Sequence, residues 1–176
     1  MKYYSLISLG CPKNLVDSEV FADILEKSGY EYTEGYHEAE IILVNTCGFI
    51  FDAKEEAVNT ILEMSEYRSI GRLKKLVVTG CMVKRYFDDM KEALPEIDHL
   101  IDLKDFESFA KLLNLKKAYS RQQLTQDHYA YLRISDGCNN HCSYCAIPGI
   151  RGELVSEPVD TLVAKAKEMA DAGVVE

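Results

Sequence analysis

What the 176-residue sequence lacks narrows its class before any motif is read. It has no tryptophan and only four prolines, and no apolar run approaches the roughly 18 residues needed to span a bilayer. A membrane-inserted chain is therefore not expected. The first residues, Met1-Lys2-Tyr3-Tyr4-Ser5, carry one charge and lead into an apolar stretch too short for a secretory core, so an intracellular, cytoplasmic protein is expected. Positive charge is also short: 20 Lys and Arg stand against 29 Asp and Glu, a net of −9. Residues 1–115 hold 13 basic and 21 acidic side chains, so no basic face for neutralising phosphates is visible, and a basic protein partner suits the charge better. No Ser-His-Asp arrangement is present. With 47% apolar residues there is material for a core of one or two domains.

Four short apolar runs rich in β-branched residues punctuate the first 115 positions: Tyr3 to Leu9, Ile41 to Asn45, Leu76 to Thr79, and a weaker one at Leu100 and Ile101. Each leads into a helical pattern. The first runs from Leu15 to Ser28, with Asn14 as its N-cap and Gly29 as its stop; the second has Asp52 and Glu55 as a capping box and a stripe of Ala57, Val58, Ile61 and Leu62. A third spans Met82 to Leu94 before Pro95, and Asp105 heads a fourth carrying Phe106, Phe109, Leu112 and Leu113. Strands alternating with helices in this way imply an α/β fold, a Rossmann-like three-layer domain around a parallel sheet. Residues 116–128 are polar and aperiodic and read as a linker. Beyond them a strand at Tyr129 to Ile134, a cysteine-rich loop, a helix from about Pro158 to Ala172 and a strand beginning at Val174 and Val175 are expected.

Six cysteines in a cytosolic chain point to metal or catalysis before disulfides. Cys11, Cys47 and Cys81 each follow one of the first three predicted strands. Loops at the carboxyl ends of a parallel sheet meet along one edge, so these three are expected to converge there. The bland alternative is three small buried apolar side chains. Cys138, Cys142 and Cys145 form a C-x₃-C-x₂-C loop. Three thiolates so close together select soft metals, zinc or an iron–sulfur cluster. Zinc needs a fourth ligand, for which His141 is the nearest candidate but adjoins Cys142. Three cysteines around a four-iron cluster would leave one iron open to a small molecule. His37, His99 and His128 lack ligand spacing, and Asp88-Asp89 and Glu55-Glu56 read as solvated helix faces.

The C-x₃-C-x₂-C loop with Tyr144 directly before its last cysteine resembles the signature of the radical S-adenosylmethionine enzymes. Gly10-Cys11-Pro12-Lys13-Asn14-Leu15-Val16-Asp17-Ser18-Glu19, Asn45-Thr46-Cys47-Gly48-Phe49-Ile50 and Gly80-Cys81-Met82-Val83-Lys84-Arg85-Tyr86 narrow the likeness to the methylthiotransferases. Pro12-Lys13 and the run Ala146-Ile147-Pro148-Gly149-Ile150-Arg151-Gly152 are more similar to the branch that modifies a ribosomal protein than to the branch that modifies tRNA. The resemblance implies that Cys138, Cys142 and Cys145 hold a 4Fe-4S cluster binding S-adenosylmethionine, with Tyr144 near the adenine. It implies that Cys11, Cys47 and Cys81 hold an auxiliary 4Fe-4S cluster.

The implied reaction is methylthiolation at the β-carbon of an aspartate in a small-subunit ribosomal protein. Its C–H bond needs a radical, generated when a low-potential cluster reduces the sulfonium. A sulfur donor and an electron-donor protein are implied partners, and nucleic acid only in the tRNA alternative. The implied domains are an N-terminal methylthiotransferase domain at 1–115 and the truncated start of a radical (β/α) barrel at 129–176, so the resemblance also implies a fragment of a longer enzyme. The competing class is a non-catalytic iron–sulfur or zinc-binding module. For Asn14, helix capping is favoured over contact with a cluster; Asn45 is a second candidate beside it. Arg151 is divided between a contact to the S-adenosylmethionine carboxylate or cluster loop and a solvent-facing turn.

Overall fold

The computed structural model describes residues 1–176, which divide into two compact units, Met1–Gln122 and Gln123–Glu176. In the first unit the elements are β1 (Lys2–Ser8), α1 (Pro12–Lys27), β2 (Tyr30–Tyr32), β3 (Ile41–Thr46), α2 (Phe51–Ile70), β4 (Lys75–Gly80), α3 (Cys81–Ala93), β5 (His99–Leu100) and α4 (Phe106–Leu112). All four strand pairings are parallel, in the order β2-β1-β3-β4-β5. Parallel neighbours require crossover connections, which α1 supplies from β1 to β2, α2 from β3 to β4 and α3 from β4 to β5. The unit is an α/β domain with a Rossmann-like layered sheet, as its alternating sequence pattern implied.

The two faces of β3 show how the layers are filled. Every residue of Ile41–Thr46 is buried, as a strand covered on both sides must be. Ile42 and Val44 join Leu76 and Val78 of β4 against Ala57, Ile61 and Met64 of α2 and Met82, Val83 and Met90 of α3. On the opposite face α1 meets the sheet and α4, where the fully buried Phe21 sets its ring edge-on to Phe106 at 4.9 Å and Phe109 at 5.1 Å. Each fully buried large apolar side chain contributes about 1.5–3 kcal/mol by leaving water. Asp105 caps α4, accepting from the Ser108 N–H at 3.1 Å, as its place before Phe106 predicts.

Several expected details differ. The strand β2 carries no apolar run; it is held by its ladder to β1 and by Thr33 N–H donating to the Tyr4 carbonyl. Helix α1 starts at Pro12 with Cys11 as N-cap, which places Asn14 inside the helix and removes its capping role. Helix α2 starts at Phe51 after Ile50, with no side-chain cap, so Asp52 and Glu55 form no capping box. Its buried stripe is Ala57, Ile61 and Met64, while Leu62 is exposed.

In the second unit the elements are β6 (Ser135–Asp136), α5 (Ile147–Arg151), β7 (Val155–Ser156) and α6 (Val159–Asp171). The helix expected from Pro158 to Ala172 is thus present, whereas Tyr129 to Ile134 is not a strand. Alternation of Tyr129, Tyr131 and Arg133 with Ala130, Leu132 and Ile134 has no ladder to join, and only Ser135 and Asp136 pair, antiparallel, with Val155 and Ser156. Val174 and Val175 start no strand either; Val175 and Glu176 donate their backbone N–H groups to the His128 carbonyl. No (β/α) barrel is formed by these residues. No helix of either unit is long and apolar enough to cross a membrane.

Candidate metal centres

The first trio sits where the doubly wound order reverses. In a sheet ordered 2-1-3-4-5, the chain leaves β1 in one direction and β3 in the other, and the crevice outside those strand ends is the usual ligand position. Cys11 follows β1 as the N-cap of α1, Cys47 follows β3, and Cys81 is the first residue of α3 directly after β4. Cys11 is exposed, Cys47 half-buried and Cys81 buried, and none is in a disulfide.

The loops that bear them are in contact. Gly10, at φ +91°, lies so near the second loop that an added Cβ would stand 2.8 Å from Cys47 Cβ and 3.2 Å from Cys47 Sγ. Gly80, at φ 107° and ψ −167°, occupies a region essentially closed to other residues. A Cβ there would collide with Asn45 Oδ1 and the Thr46 carbonyl oxygen and lie 2.6 Å from Thr46 N.

Asn14, the fully buried third residue of α1, touches all three cysteine-bearing segments. Its Nδ2 donates to the Leu9 carbonyl at 2.9 Å and the Thr46 carbonyl at 3.0 Å, and its Oδ1 accepts from Cys81 Sγ at 3.4 Å. Beneath it Asn45 Nδ2 donates to the Asn14 carbonyl at 2.8 Å and to Ser18 Oγ at 2.9 Å, and Ser18 Oγ bonds Ser8 Oγ. Two buried oxygens of this layer, Asn45 Oδ1 and Thr79 Oγ1, have no hydrogen-bond partner. Burying polar oxygens without partners costs about 1–3 kcal/mol each.

One lip of the site is apolar and cationic. Phe49, Ile50 and Phe51 are exposed immediately after Cys47; Lys54 lies over the Phe51 and Tyr86 rings, and the Arg85 guanidinium lies 5.2 Å from the Tyr86 ring centre. Arg85 also donates to the Gly48 carbonyl at 3.2 Å, tying the start of α3 to the second cysteine loop.

The second trio lies on the loop between β6 and β7. Cys138 N–H donates to the Gly152 carbonyl at 3.1 Å and Cys145 N–H to the Cys142 carbonyl at 3.0 Å. Asn140 N–H approaches Cys138 Sγ at 3.4 Å, so one sulfur already accepts a backbone donor. At the loop base Arg151 is not solvent-facing: its side chain is 2% exposed and its Nη1 bonds Asp136 Oδ2 at 3.2 Å. Leu154 N–H donates to Asn139 Oδ1 at 2.8 Å, closing the loop a second time. Tyr144 is 88% exposed, and His141 is exposed beside it.

No three Cys, His, Asp or Glu side chains are gathered as they stand into a group that holds a metal ion. The donor chemistry nevertheless fits a soft metal at both places. Each has three reduced thiols, with at least one open to solvent, and around the first a side chain is missing at Gly10 where it would fill the space against Cys47. Sequence reasoning ranked capping above a contact at the site for Asn14, and it missed Asp136 as the partner of Arg151. Pro12 held the signal for Asn14, because Pro at the first helical position makes Cys11 the N-cap.

Known proteins resemble this chain along almost its whole length. Residues 3–102 match the family described as "Uncharacterized protein family UPF0004". The chain is 42% identical over 97% of its length to the "Ribosomal protein uS12 methylthiotransferase RimO" of Lachnoclostridium phytofermentans, covering 42% of that protein. It is 45% identical over 98% of its length to the protein of the same description in Sulfurihydrogenibium sp., covering 40% of it. With the relative from Bdellovibrio bacteriovorus the identity is 44% over 99% of this chain and 42% of that protein. The chain thus spans about two fifths of the length of the curated relatives it matches. By these matches the chain belongs to the UPF0004 family and is RimO-like along almost its whole length.

Proposed function

We propose that the chain carries the two cysteine sites of a radical S-adenosylmethionine methylthiotransferase that acts on the β-carbon of an aspartate in ribosomal protein uS12. The observation that carries the reading is the presence of two separate three-thiol sets, one at the switch point of a parallel sheet and one on a tight loop. The names of the relatives, uS12 methylthiotransferases, support the substrate. Residues 1–115 are assigned as the auxiliary-cluster domain, 116–128 as a linker and 129–176 as the part that begins the radical domain. Cys11, Cys47 and Cys81 would hold one 4Fe-4S cluster, and Cys138, Cys142 and Cys145 the other, with S-adenosylmethionine beside Tyr144.

When bound, these groups supply low-potential electrons, a sulfur atom and a methyl group, none of which side chains provide. The protein's own part is placement and shielding. Gly10 lets the Cys47 loop close over the first site, the Asp136–Arg151 pair anchors the second loop, and the exposed Tyr144 offers a ring face for stacking. The acidic balance of the first 115 residues suits a basic ribosomal partner, and the cytoplasm is where that partner and its electron and sulfur donors meet the enzyme.

The reading is tested by mass analysis of uS12 and of tRNA from cells with and without the gene that encodes this chain. A methylthio group on the uS12 aspartate that disappears with the gene is the expected result. An unchanged uS12 with a lost tRNA methylthio group would assign the other branch.

A further inference from the structure

Both hydrogens of the Asn14 amide are directed at main-chain carbonyls of different segments, Leu9 ahead of Cys11 and Thr46 at the end of β3 ahead of Cys47, while its oxygen faces the thiol of Cys81. The two carbonyls fix which way the amide points, since only its nitrogen can donate to them. The residues joined lie 32 and 67 positions from Asn14 in the chain, so a single side chain three residues beyond Cys11 ties together segments that have no local reason to meet. Few side chains serve: Asp has no donor, Ser has one, and Gln is longer in a place with no exposed surface.

We propose that Asn14 is the positioning residue of the first cysteine site, fixing the relative placement of Cys11, Cys47 and Cys81. The proposal rests on the reading that those three hold an iron–sulfur cluster. Ser18 supplies the comparison. It belongs to the same buried layer, but its hydrogen bonds go to Asn45 and Ser8 within the strands and to none of the cysteines. A purely structural role for Asn14 would make Asn14→Ala and Ser18→Ala alike in kind.

The experiment uses the 176-residue chain with Cys138, Cys142 and Cys145 changed to Ala, so that only the first site takes up metal. Ferrous iron and sulfide are supplied anaerobically, and the rate of iron loss to a chelator is followed by absorbance alongside thermal unfolding. The expected result is at least tenfold faster iron loss for Asn14→Ala and Asn14→Asp than for Ser18→Ala at a comparable fall in melting temperature. Iron retention like that of Ser18→Ala would overturn the proposal. If Asn14→Ala does not fold, Asn14→Ser is scored in the same way.

A parent chain that takes up no iron beyond its Cys11/Cys47/Cys81→Ala variant sinks the cluster reading itself. The positioning role is then scored on the metal-free chain by thiol labelling. There, Cys81 of Asn14→Ala must react at least tenfold faster than Cys81 of Ser18→Ala, and equal rates would refute it.

Discussion

Replacing Gly80 by alanine is the sharpest local test of how the first site is built. Two separate effects add at this position. The backbone at φ 107° and ψ −167° belongs to a region used essentially by glycine alone, and holding another residue there costs about 1–3 kcal/mol. The new methyl group would also collide with Asn45 Oδ1 and the Thr46 carbonyl, and would reach within 2.6 Å of Thr46 N. Thr46 ends β3, which is paired on both sides, so its backbone has nowhere to retreat. Overpacking of this kind adds about 1–3 kcal/mol. Together about 2–6 kcal/mol is lost from a total of order 5–15 kcal/mol.

Gly29 separates the terms. It also has positive φ, +86°, but an added Cβ meets nothing within 4 Å, so Gly29→Ala should cost only the backbone share of about 1–2 kcal/mol. Urea unfolding followed by circular dichroism gives both values through the midpoint at constant slope. A Gly80→Ala chain no less stable than Gly29→Ala would refute the close packing of the Cys81 loop against β3.

Further outcomes follow from the same structure. Phe21→Ala removes the ring that sits edge-on to Phe106 and Phe109 and should cost about 3–5 kcal/mol, read by the same urea titration. Arg151→Met leaves the nearly buried Asp136 with the longer Arg133 contact, 3.9 Å from Oδ2, as a cationic partner, and faster hydrogen exchange across residues 137–155 is expected, by part of the roughly 3–5 kcal/mol that breaking a buried pair costs. Burial, with Lys75 adding and Asp98 opposing, holds the His99 imidazole below its ordinary range. The unfolded chain therefore binds this proton more readily, so the His99 contribution is present above the ordinary imidazole range and lost as pH falls. Melting curves from pH 7.5 to 5.5 should fall more steeply for the wild type than for His99→Gln.

The sequence revealed what continuous apolar runs and glycine punctuation determine. The runs at Ile41 and Leu76 are strands because a strand buried on both faces has no polar side to show, and the cysteines that follow them fall at one sheet edge for topological reasons alone. What stayed hidden depended on partners. Tyr30-Glu31-Tyr32 is a strand only because β1 lies beside it, and Tyr129 to Ile134 is none because nothing does. In α2 Met64 is buried and Leu62 exposed, a choice that apolar spacing alone leaves open. Asn14 and Arg151 were ambiguous for a related reason: their bonds reach residues far away in the chain, or across a closed loop, and spacing carries no record of that.

The central claim is that the chain has two independent three-cysteine sites, and metal analysis tests it most directly. Iron, acid-labile sulfide and zinc are measured per chain after anaerobic reconstitution, for the wild type and for the Cys138/Cys142/Cys145→Ala variant. About eight irons falling to about four is the expected result for two 4Fe-4S clusters. Stoichiometric zinc with little iron, or an iron content unchanged by the triple substitution, would contradict it.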